Sequence, residues 1–207
     1  MRVAIDDLVA RDPRLAGIEV KAGPLPWRVR PRGFAGLLQA IVAQQISNQA
    51  ARAIWGRLVG LPGVLTPGGL LGLDDAALGI AGLSRPKMAH ARALAVAFEE
   101  GRLGGEALAA LGDEDALAAI TAVRGLGPWT AEVYLLFAEG RVDVFPAGDV
   151  AVQAAAADIL GLAVRPGAVA LRALAEPWRP HRALAARLLW HHWRFMTGRP
   201  SMDELPG

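Results

Sequence analysis

An all-α fold is predicted by three features of the sequence. Apolar residues recur at helical spacing along most of the chain, the alternation typical of strands is hard to find, and glycine and proline divide the chain into short segments. The 207 residues are 53% hydrophobic and 20% charged, which is enough to bury a sizeable core in one domain or in two intimate lobes. We therefore expect a compact array of about ten short helices.

The helical segments follow one another with few interruptions. The stretch FAGLLQAIVAQQIS, residues 34–47, repeats apolar side chains at helical spacing, and NQAARAIWGRLVG continues the pattern with Asn48 as a candidate N-cap. Two stretches, IEVKAG at 18–23 and WRVRPR at 27–32, fit an extended conformation but have no obvious strand partner. Further helical patterns are DDAALGIA, RPKMAHARALAVAFEEG, GEALAAL, EDALAAITAV, PWTAEVYLLFAE, DVAVQAAAADIL, GAVALRALAE and RALAARLLWHHWRFM.

Composition excludes several kinds of site. Cysteine is absent, so a disulfide framework, a thiolate zinc site and an iron–sulfur cluster are all ruled out. His191 and His192 are adjacent, so their side chains diverge on a helix, and we expect no metal ion held by side chains. The chain has no long uncharged run and no secretory pattern, so we expect a cytoplasmic protein without membrane contact.

Charge is distributed unevenly along the chain. Between Val20 and Leu73 there are six basic residues and no acid, and between Arg165 and Arg199 there are seven arginines and one acid, Glu176. Acidic residues gather elsewhere, at Glu99, Glu100, Glu106, Asp113, Glu114 and Asp115. This segregation favours a polyanionic partner, although a patchy solvated surface explains the same pattern.

The stretch VRGLGPWTAE, residues 123–132, predicts two helices joined by a tight hairpin. Glycine enters the φ > 0 region without steric cost, which suits Gly125 and Gly127, and Pro128 suits the first turn of a helix. Backbone N–H groups that converge at a helix N-terminus bind phosphate without a charged side chain. We expect Gly127→Val to strain the hairpin; a plain connection between packed helices remains the alternative interpretation.

A second candidate site is Asp149 in the stretch DVFPAGDVAVQ. It follows a Pro-Ala-Gly turn and precedes an apolar helical pattern, which is the position of an N-cap. Capping alone explains an aspartate there, with a contribution of roughly 1 kcal/mol. The same geometry also keeps the carboxylate ionised at a helix N-terminus, where it can face a developing positive charge.

Together these motifs resemble a known family. VRGLGPWTAEVYLLF followed by DVFPAGDVAVQ is similar to the signature of the helix-hairpin-helix Gly/Pro-Asp superfamily of DNA base-excision glycosylases. Within it, AIVAQQISNQAA, GLSRPKMAHARALA and WRPHRALAARLLWHHW resemble the 3-methyladenine DNA glycosylase II branch. The matches extend in the expected order from about Phe34 to Trp193.

The resemblance implies an all-α fold of two lobes, with double-stranded DNA bound across the cleft between them. The middle lobe would cover residues 34–142 and end in the hairpin, and residues 1–33 with 143–207 would form the second lobe, which carries Asp149. Larger members have an N-terminal β-rich domain, which we expect to be missing here. A monomer associated with the nucleoid is also expected.

The family chemistry is hydrolysis of the N-glycosidic bond of a damaged base flipped out of the duplex. Asp149 matches the catalytic aspartate, which stabilises cationic character on the sugar. The expected substrates are alkylated bases of the 3-methyladenine and 7-methylguanine type. Trp129 stands where bifunctional relatives carry a lysine nucleophile, and an indole cannot form a Schiff base, so a monofunctional enzyme without lyase activity is implied.

The resemblance also assigns roles around this centre. Gln45 matches the residue that fills the gap left by the flipped base, and Gln44 would support the fold. No cofactor is expected, although a monovalent cation held by hairpin carbonyls is plausible by resemblance. The remaining assignments are Trp129, Tyr134 and Phe34 to the base pocket, Gly125, Leu126, Gly127 and Thr130 to the DNA-binding hairpin, and Ser47 and Lys87 to phosphate contacts.

Two other functions remain open at this stage. A non-catalytic DNA-binding protein would keep the hairpin, but the retention of Asp149 argues against it, because an anion facing DNA does not help binding. A glycosylase for neutral lesions such as hypoxanthine or uracil would use the same residues.

Overall fold

A computed structural model of the protein describes residues 1–27 and 29–199. These residues form α-helices and short 3-10 turns without any strand, which confirms the all-α prediction. The chain divides into two compact units. We call Arg30–Glu139 the middle unit, and Met1–Val29 together with the chain from Gly140 onward the split unit.

The middle unit contains the helices from α3 to α10. Its core is built on α3, which packs against α7 and α10. Helix α10 is buried from Thr130 to Phe137. The bounds are α3 Gly33–Ala43, α4 Asn48–Leu58, α5 Pro67–Gly72, α6 Asp75–Ala81, α7 Arg85–Glu99, α8 Gly105–Ala110, α9 Asp113–Thr121 and α10 Pro128–Phe137.

The split unit is organised around its last helix. That helix, α13, packs against α11 and α2 and buries most of its residues between Arg182 and Trp190. Two 3-10 turns, Pro13–Ala16 and Glu176–Trp178, complete the unit. The helix bounds are α1 Arg2–Arg11, α2 Gly17–Ala22, α11 Val150–Ile159, α12 Ala168–Leu174 and α13 Arg182–Thr197.

Local expectations from the sequence differ from the structure at two helix starts. IEVKAG is not extended: it forms most of α2, with Ile18 fully buried. The cap of α4 is Ser47, whose hydroxyl accepts a hydrogen bond from Ala50 N at 3.2 Å, rather than Asn48. Of the basic residues in WRVRPR, Arg28 lies outside the described residues.

Within residues 1–27 and 29–199, no helix combines the length and apolar character needed to cross a membrane.

Candidate functional site

The hairpin between α9 and α10 depends on one left-handed glycine. Gly125 has φ +91°, a conformation that L residues rarely adopt, and a Cβ built on it would overlap the imidazole ring of His90. The turn is closed by Leu126 N, which donates to Val123 O at 3.1 Å. Glycine is therefore required at 125 both by the backbone angle and by the close approach of His90.

Gly127 has a different role from the one the sequence suggested. Its φ is −81° and ψ is 168°, which any residue adopts, and no atom lies within 4 Å of a Cβ built there. The expectation that Gly127→Val strains the hairpin is therefore wrong. Gly127 is exposed at the N-cap of α10 and offers bare backbone at this surface.

Side chains of the hairpin divide between the surface and the interior. Leu126 and Thr130 are buried, with 3% and 6% exposure, so they anchor the hairpin from within the middle unit. Gly127 and Pro128 are exposed, and Trp129 presents 46% of its surface. The first N–H groups of any α-helix have no carbonyl within the helix to bond, so the start of α10 combines polar backbone with an exposed indole.

Hairpin carbonyls are already engaged in hydrogen bonds. Val123 O accepts from Leu126 N, Gly127 O accepts from Ala131 N at 3.1 Å, and Gly125 O accepts from Gln44 Nε2 at 3.0 Å. A carbonyl oxygen has two lone pairs, so each keeps capacity for a monovalent cation. Within the described residues, no group of three or more His, Asp or Glu side chains is arranged to hold a metal ion.

Gln45 lies in the turn between α3 and α4. It is exposed and has φ +57°, and it is the non-glycine residue with positive φ among residues 1–27 and 29–199. Ser47 is exposed beside it as the N-cap of α4. Gln45, predicted to fill the gap left by the flipped base, thus lies on a tight turn at the surface of the middle unit.

Lys87, a predicted phosphate contact, is half-buried and bonded within the middle unit. Its Nζ donates to Val42 O at 2.7 Å, at the C-terminal end of α3. Burial lowers the pKa of Lys87, because desolvation disfavours the charged ammonium. The Lys87 amine therefore already bonds a carbonyl of this protein, in the last turn of α3.

Two of the three aromatic residues predicted to line the base pocket are buried in the middle unit. The Tyr134 hydroxyl donates to Glu139 Oε1 at 2.6 Å and accepts from Gly33 N at 2.8 Å. Burial, reinforced by the Glu139 carboxylate, raises the pKa of Tyr134. Phe34 packs edge-on against Phe98 with ring centroids 5.6 Å apart. Among the three, Trp129 is the one exposed at the surface.

A second candidate site, in the split unit, is the turn that leads into α11. Asp149 is its N-cap, and its Oδ1 accepts hydrogen bonds from Ala151 N at 2.8 Å and Val152 N at 2.9 Å. The side chain is half-buried, between the exposed Gly148 and Val150. These two backbone donors fix the orientation of the carboxylate at the start of the helix.

Sequence reasoning missed Gln153, which braces this turn. Its Nε2 donates to Ala147 O at 2.8 Å, and the side chain is 8% exposed. Because Gln153 lies four residues after Asp149, it is on the same face of α11 one turn later. A glutamine among the valines and alanines of α11, one turn after the candidate aspartate, was the available signal.

Aromatic packing fixes the other end of the turn. Phe145 packs edge-on against Trp178, with ring centroids 5.8 Å apart. Trp178 is fully buried, and its indole N–H donates to Asp12 Oδ2 at 2.8 Å. The segment before Asp149 is therefore anchored in the core of the split unit.

Arg182, the first residue of α13, takes part in an internal ion network. It donates from Nε to Asp143 Oδ1 and from its second terminal nitrogen to Asp143 Oδ2, each at 3.0 Å, and also bonds Glu176 at 2.9 Å. Arg182 is 8% exposed. Asp143 precedes the Asp149 turn, so this network holds the start of that segment to α13.

Comparisons with known proteins agree with the motifs. A model of the HhH-GPD superfamily of base excision DNA repair proteins matches residues 38–180. A crystal structure of a DNA-3-methyladenine glycosidase from Bacillus halodurans superposes with a TM-score of 0.84 at 33% identity, covering 98% of this chain and 94% of that one.

Two fission yeast proteins are also similar. The Schizosaccharomyces pombe 3-methyladenine DNA glycosylase Mag1, in complex with abasic DNA, superposes with a TM-score of 0.78 at 26% identity, covering 92% of this chain and 95% of that one. The alkylbase DNA glycosidase-like protein mag2 is 25% identical over 189 residues, which cover 86% of this chain and 87% of that protein. With the family model matching more than half of the chain, the protein belongs to the HhH-GPD superfamily of base excision DNA repair proteins.

Proposed function

We propose that the protein is a monofunctional DNA glycosylase that removes alkylated purines, of the 3-methyladenine and 7-methylguanine type, from double-stranded DNA. The observation that carries the proposal is the Asp149 carboxylate, held at the start of α11 by two backbone N–H groups. The printed names of the similar proteins support alkylated bases as the substrate class.

Asp149 provides the negative charge that the reaction needs. As the bond between C1′ and the base nitrogen breaks, its electron pair leaves with the base and positive charge develops on the sugar. An alkylated purine is already cationic, so it departs as a neutral molecule without being protonated first. Water then attacks C1′ and loses a proton, and the ionised carboxylate stabilises the cationic sugar in between.

Trp129 is the residue proposed to contact the flipped base. Its indole is exposed directly after the hairpin, and the electron-rich face of a tryptophan attracts a cationic ring. The same residue supports the assignment as monofunctional, because an indole cannot form the Schiff base on which lyase chemistry depends. The chain has only two lysines, Lys21 and Lys87, and the second donates to Val42 O.

Duplex binding is assigned to the hairpin and to the Gln45 turn. Backbone N–H groups at a helix start contact phosphate without reading sequence, so the protein would bind undamaged duplex weakly and search along it. We propose that it does so as a monomer. The logarithm of affinity should then fall linearly with the logarithm of salt concentration, with a slope that corresponds to several neutralised phosphates.

The experiment that tests this function is a base-release assay. Duplexes carrying 3-methyladenine, 7-methylguanine, 1-methyladenine, hypoxanthine or uracil are incubated with the protein. Released base is measured directly, and strand breaks are measured before and after alkali treatment. We expect release of the alkylated purines, with strand breaks appearing only after alkali.

Other outcomes favour the alternative functions. Release of hypoxanthine or uracil alone would assign a neutral lesion as the substrate. Tight binding without release of any base would indicate a non-catalytic DNA-binding protein. Strand breaks without alkali would contradict the monofunctional assignment.

A further inference from the structure

The turn that carries Gln45 is strained and therefore needs support from its neighbours. A non-glycine residue at φ +57° is uncommon, and such conformations persist where the surrounding structure fixes them. On the C-terminal side, Ser47 caps α4 through Ala50 N. On the N-terminal side, the support comes from the residue directly before it, Gln44.

Gln44 connects this turn to the phosphate-binding hairpin. Its backbone N–H ends α3 by donating to Ile41 O at 3.3 Å, and its side-chain Nε2 donates to Gly125 O at 3.0 Å. The same nitrogen lies 3.4 Å from Thr130 Oγ1, in the first turn of α10. One amide group thus bridges the left-handed glycine of the hairpin and the helix that follows it.

Helix α7 supports both partners of this bridge. Lys87 Nζ donates to Val42 O, two residues before Gln44, and the His90 ring packs where a Cβ of Gly125 would lie. These two residues are three apart in sequence and share one face of α7. His90 Nδ1 is buried without a hydrogen-bond partner in the described chain, so His90 supports the hairpin by packing.

We propose that Gln44 is a positioning residue that places the Gln45 turn and the hairpin as a single body. This inference rests on the proposed function, because it assigns Gln45 to the duplex interior and the hairpin to phosphate. Phosphate contact at the hairpin then sets the position from which Gln45 enters the duplex. The Gln45 side chain and the hairpin backbone then contact the duplex in a fixed relative position.

The matched variants are Gln44→Met and Gln45→Ala. Methionine keeps the length and volume of glutamine without its N–H donor or any charge, so it removes the bridge while changing little else. We expect single-turnover base release to fall about tenfold, because small displacements of reacting groups have effects of at least this size. Binding to undamaged duplex should change about twofold or less, since phosphate contacts are retained.

A double-mutant cycle separates positioning from simple support of the fold. If Gln44 acts through Gln45, Gln44→Met has little further effect on base release in the Gln45→Ala background. Gln44→Glu, which keeps the size but loses the donor, serves as a second variant should the methionine protein fold poorly. Asp74→Ala is the control: it removes a comparable side-chain bond to Ala77 N, at the start of α6, and should leave base release unchanged.

Hydrogen exchange of the DNA-free protein tests the coupling without any substrate. Loss of the bridge should speed exchange in the hairpin peptide, residues 123–130, as well as in its own turn, residues 43–47. Faster exchange in both segments together with non-additive kinetics supports the proposal. Additive kinetics, or hairpin exchange unchanged in Gln44→Met, overturns it. If the wild-type protein releases no base from any duplex, the proposed function fails, and the exchange result alone decides the coupling.

Discussion

Helices α10 and α11 begin with similar turns but have different N-cap residues. α10 begins at Pro128, directly after Gly-Leu-Gly, and α11 begins at Val150, directly after Pro-Ala-Gly-Asp, so glycine and proline lie at the start of each helix. At α11 the Asp149 carboxylate accepts from the first-turn N–H groups. At α10 the N-cap is Gly127, which has no side chain with which to do so.

This difference supports the proposal that two similar helix starts have two different functions. A helix start attracts an anion, and the N-cap residue decides whether that anion comes from the protein or from a ligand. At α11 the protein supplies its own carboxylate, which the two backbone N–H groups hold in one orientation. At α10 the exposed glycine leaves room for the phosphate of the proposed DNA ligand.

Their foundations differ as well. The Asp149 turn is fixed by an aromatic pair, Phe145 and Trp178, in the core of the split unit. The hairpin is anchored by the buried Leu126 and Thr130 and also contacts the His90 ring and the Gln44 amide. A rigid core suits a group that must not move during bond cleavage, whereas hydrogen bonds couple the hairpin to a neighbouring turn.

The largest expected effect comes from removing the charge at α11. Asp149→Asn should lower base release on the order of 10²–10³-fold, because the cationic sugar loses its stabilising anion. Binding to duplex should persist or tighten, since an anion near phosphates is removed. Single-turnover base release and DNA affinity are the measurements.

Asp74→Asn provides the matched control for this substitution. Asp74 is also an N-cap aspartate, and its Oδ1 accepts from Ala77 N at 2.7 Å. Asparagine caps helices about as well as aspartate, so both variants should melt near the wild-type temperature. Base release by Asp149→Asn at a rate similar to that of Asp74→Asn would disprove the catalytic assignment.

The next prediction concerns the two glycines of the hairpin, whose substitutions should affect stability in one case and DNA binding in the other. Gly125→Ala should lower the free energy of unfolding by about 2–4 kcal/mol, because the new Cβ meets His90 in a left-handed backbone. Gly127→Ala should change that free energy by less than about 1 kcal/mol. It should instead weaken binding to damaged and undamaged duplex alike, about tenfold, by blocking close approach of phosphate. Urea unfolding measures the free energy of unfolding, and DNA titration measures the affinity for duplex. Equal stability losses in both variants would refute this division of roles.

A smaller effect is expected at the exposed indole. Trp129→Ala should slow release of a cationic base about 3- to 30-fold, which corresponds to about 0.5–2 kcal/mol of cation–π stabilisation. Release of a neutral base, where it occurs at all, should change less. Comparing rates for 7-methylguanine and hypoxanthine in one duplex context measures the difference. An equal reduction for both bases would indicate that Trp129 packs against the base without sensing its charge.

Periodicity and capping rules were sufficient to predict the all-α class, the hairpin position and the N-cap role of Asp149, because all three depend on residues within one or two helical turns. IEVKAG fits an extended conformation in the sequence because six residues are too few to distinguish a buried helix from a strand. The functions of the hairpin and of Asp149 in DNA repair stay predictions.

Contacts between segments far apart in sequence could not be predicted from local sequence patterns. The steric need for glycine falls on Gly125 because His90, 35 positions earlier, packs beneath it. Similarly, the partner of Lys87 is the carbonyl of Val42, and the hydroxyl of Tyr134 bonds the backbone of Gly33. Each pair joins segments far apart in sequence, so no spacing rule reveals it.

The last prediction tests the foundation of the α11 turn through the pH dependence of the free energy of unfolding. Hydrogen bonds from Arg14, and from the Trp178 indole, hold the pKa of Asp12 below its usual value. Because the folded pKa is lowered, this carboxylate contributes stability that is complete above the unfolded pKa, near 4, and is lost as pH falls through the folded pKa. Asp12→Asn should cost about 1–2 kcal/mol at pH 7. It should lose less stability than wild type between pH 7 and about pH 3, as measured by urea unfolding. Since the other carboxylates are shared by both proteins, identical losses on acidification would mean that Asp12 does not support the Trp178 and Phe145 foundation through its charge.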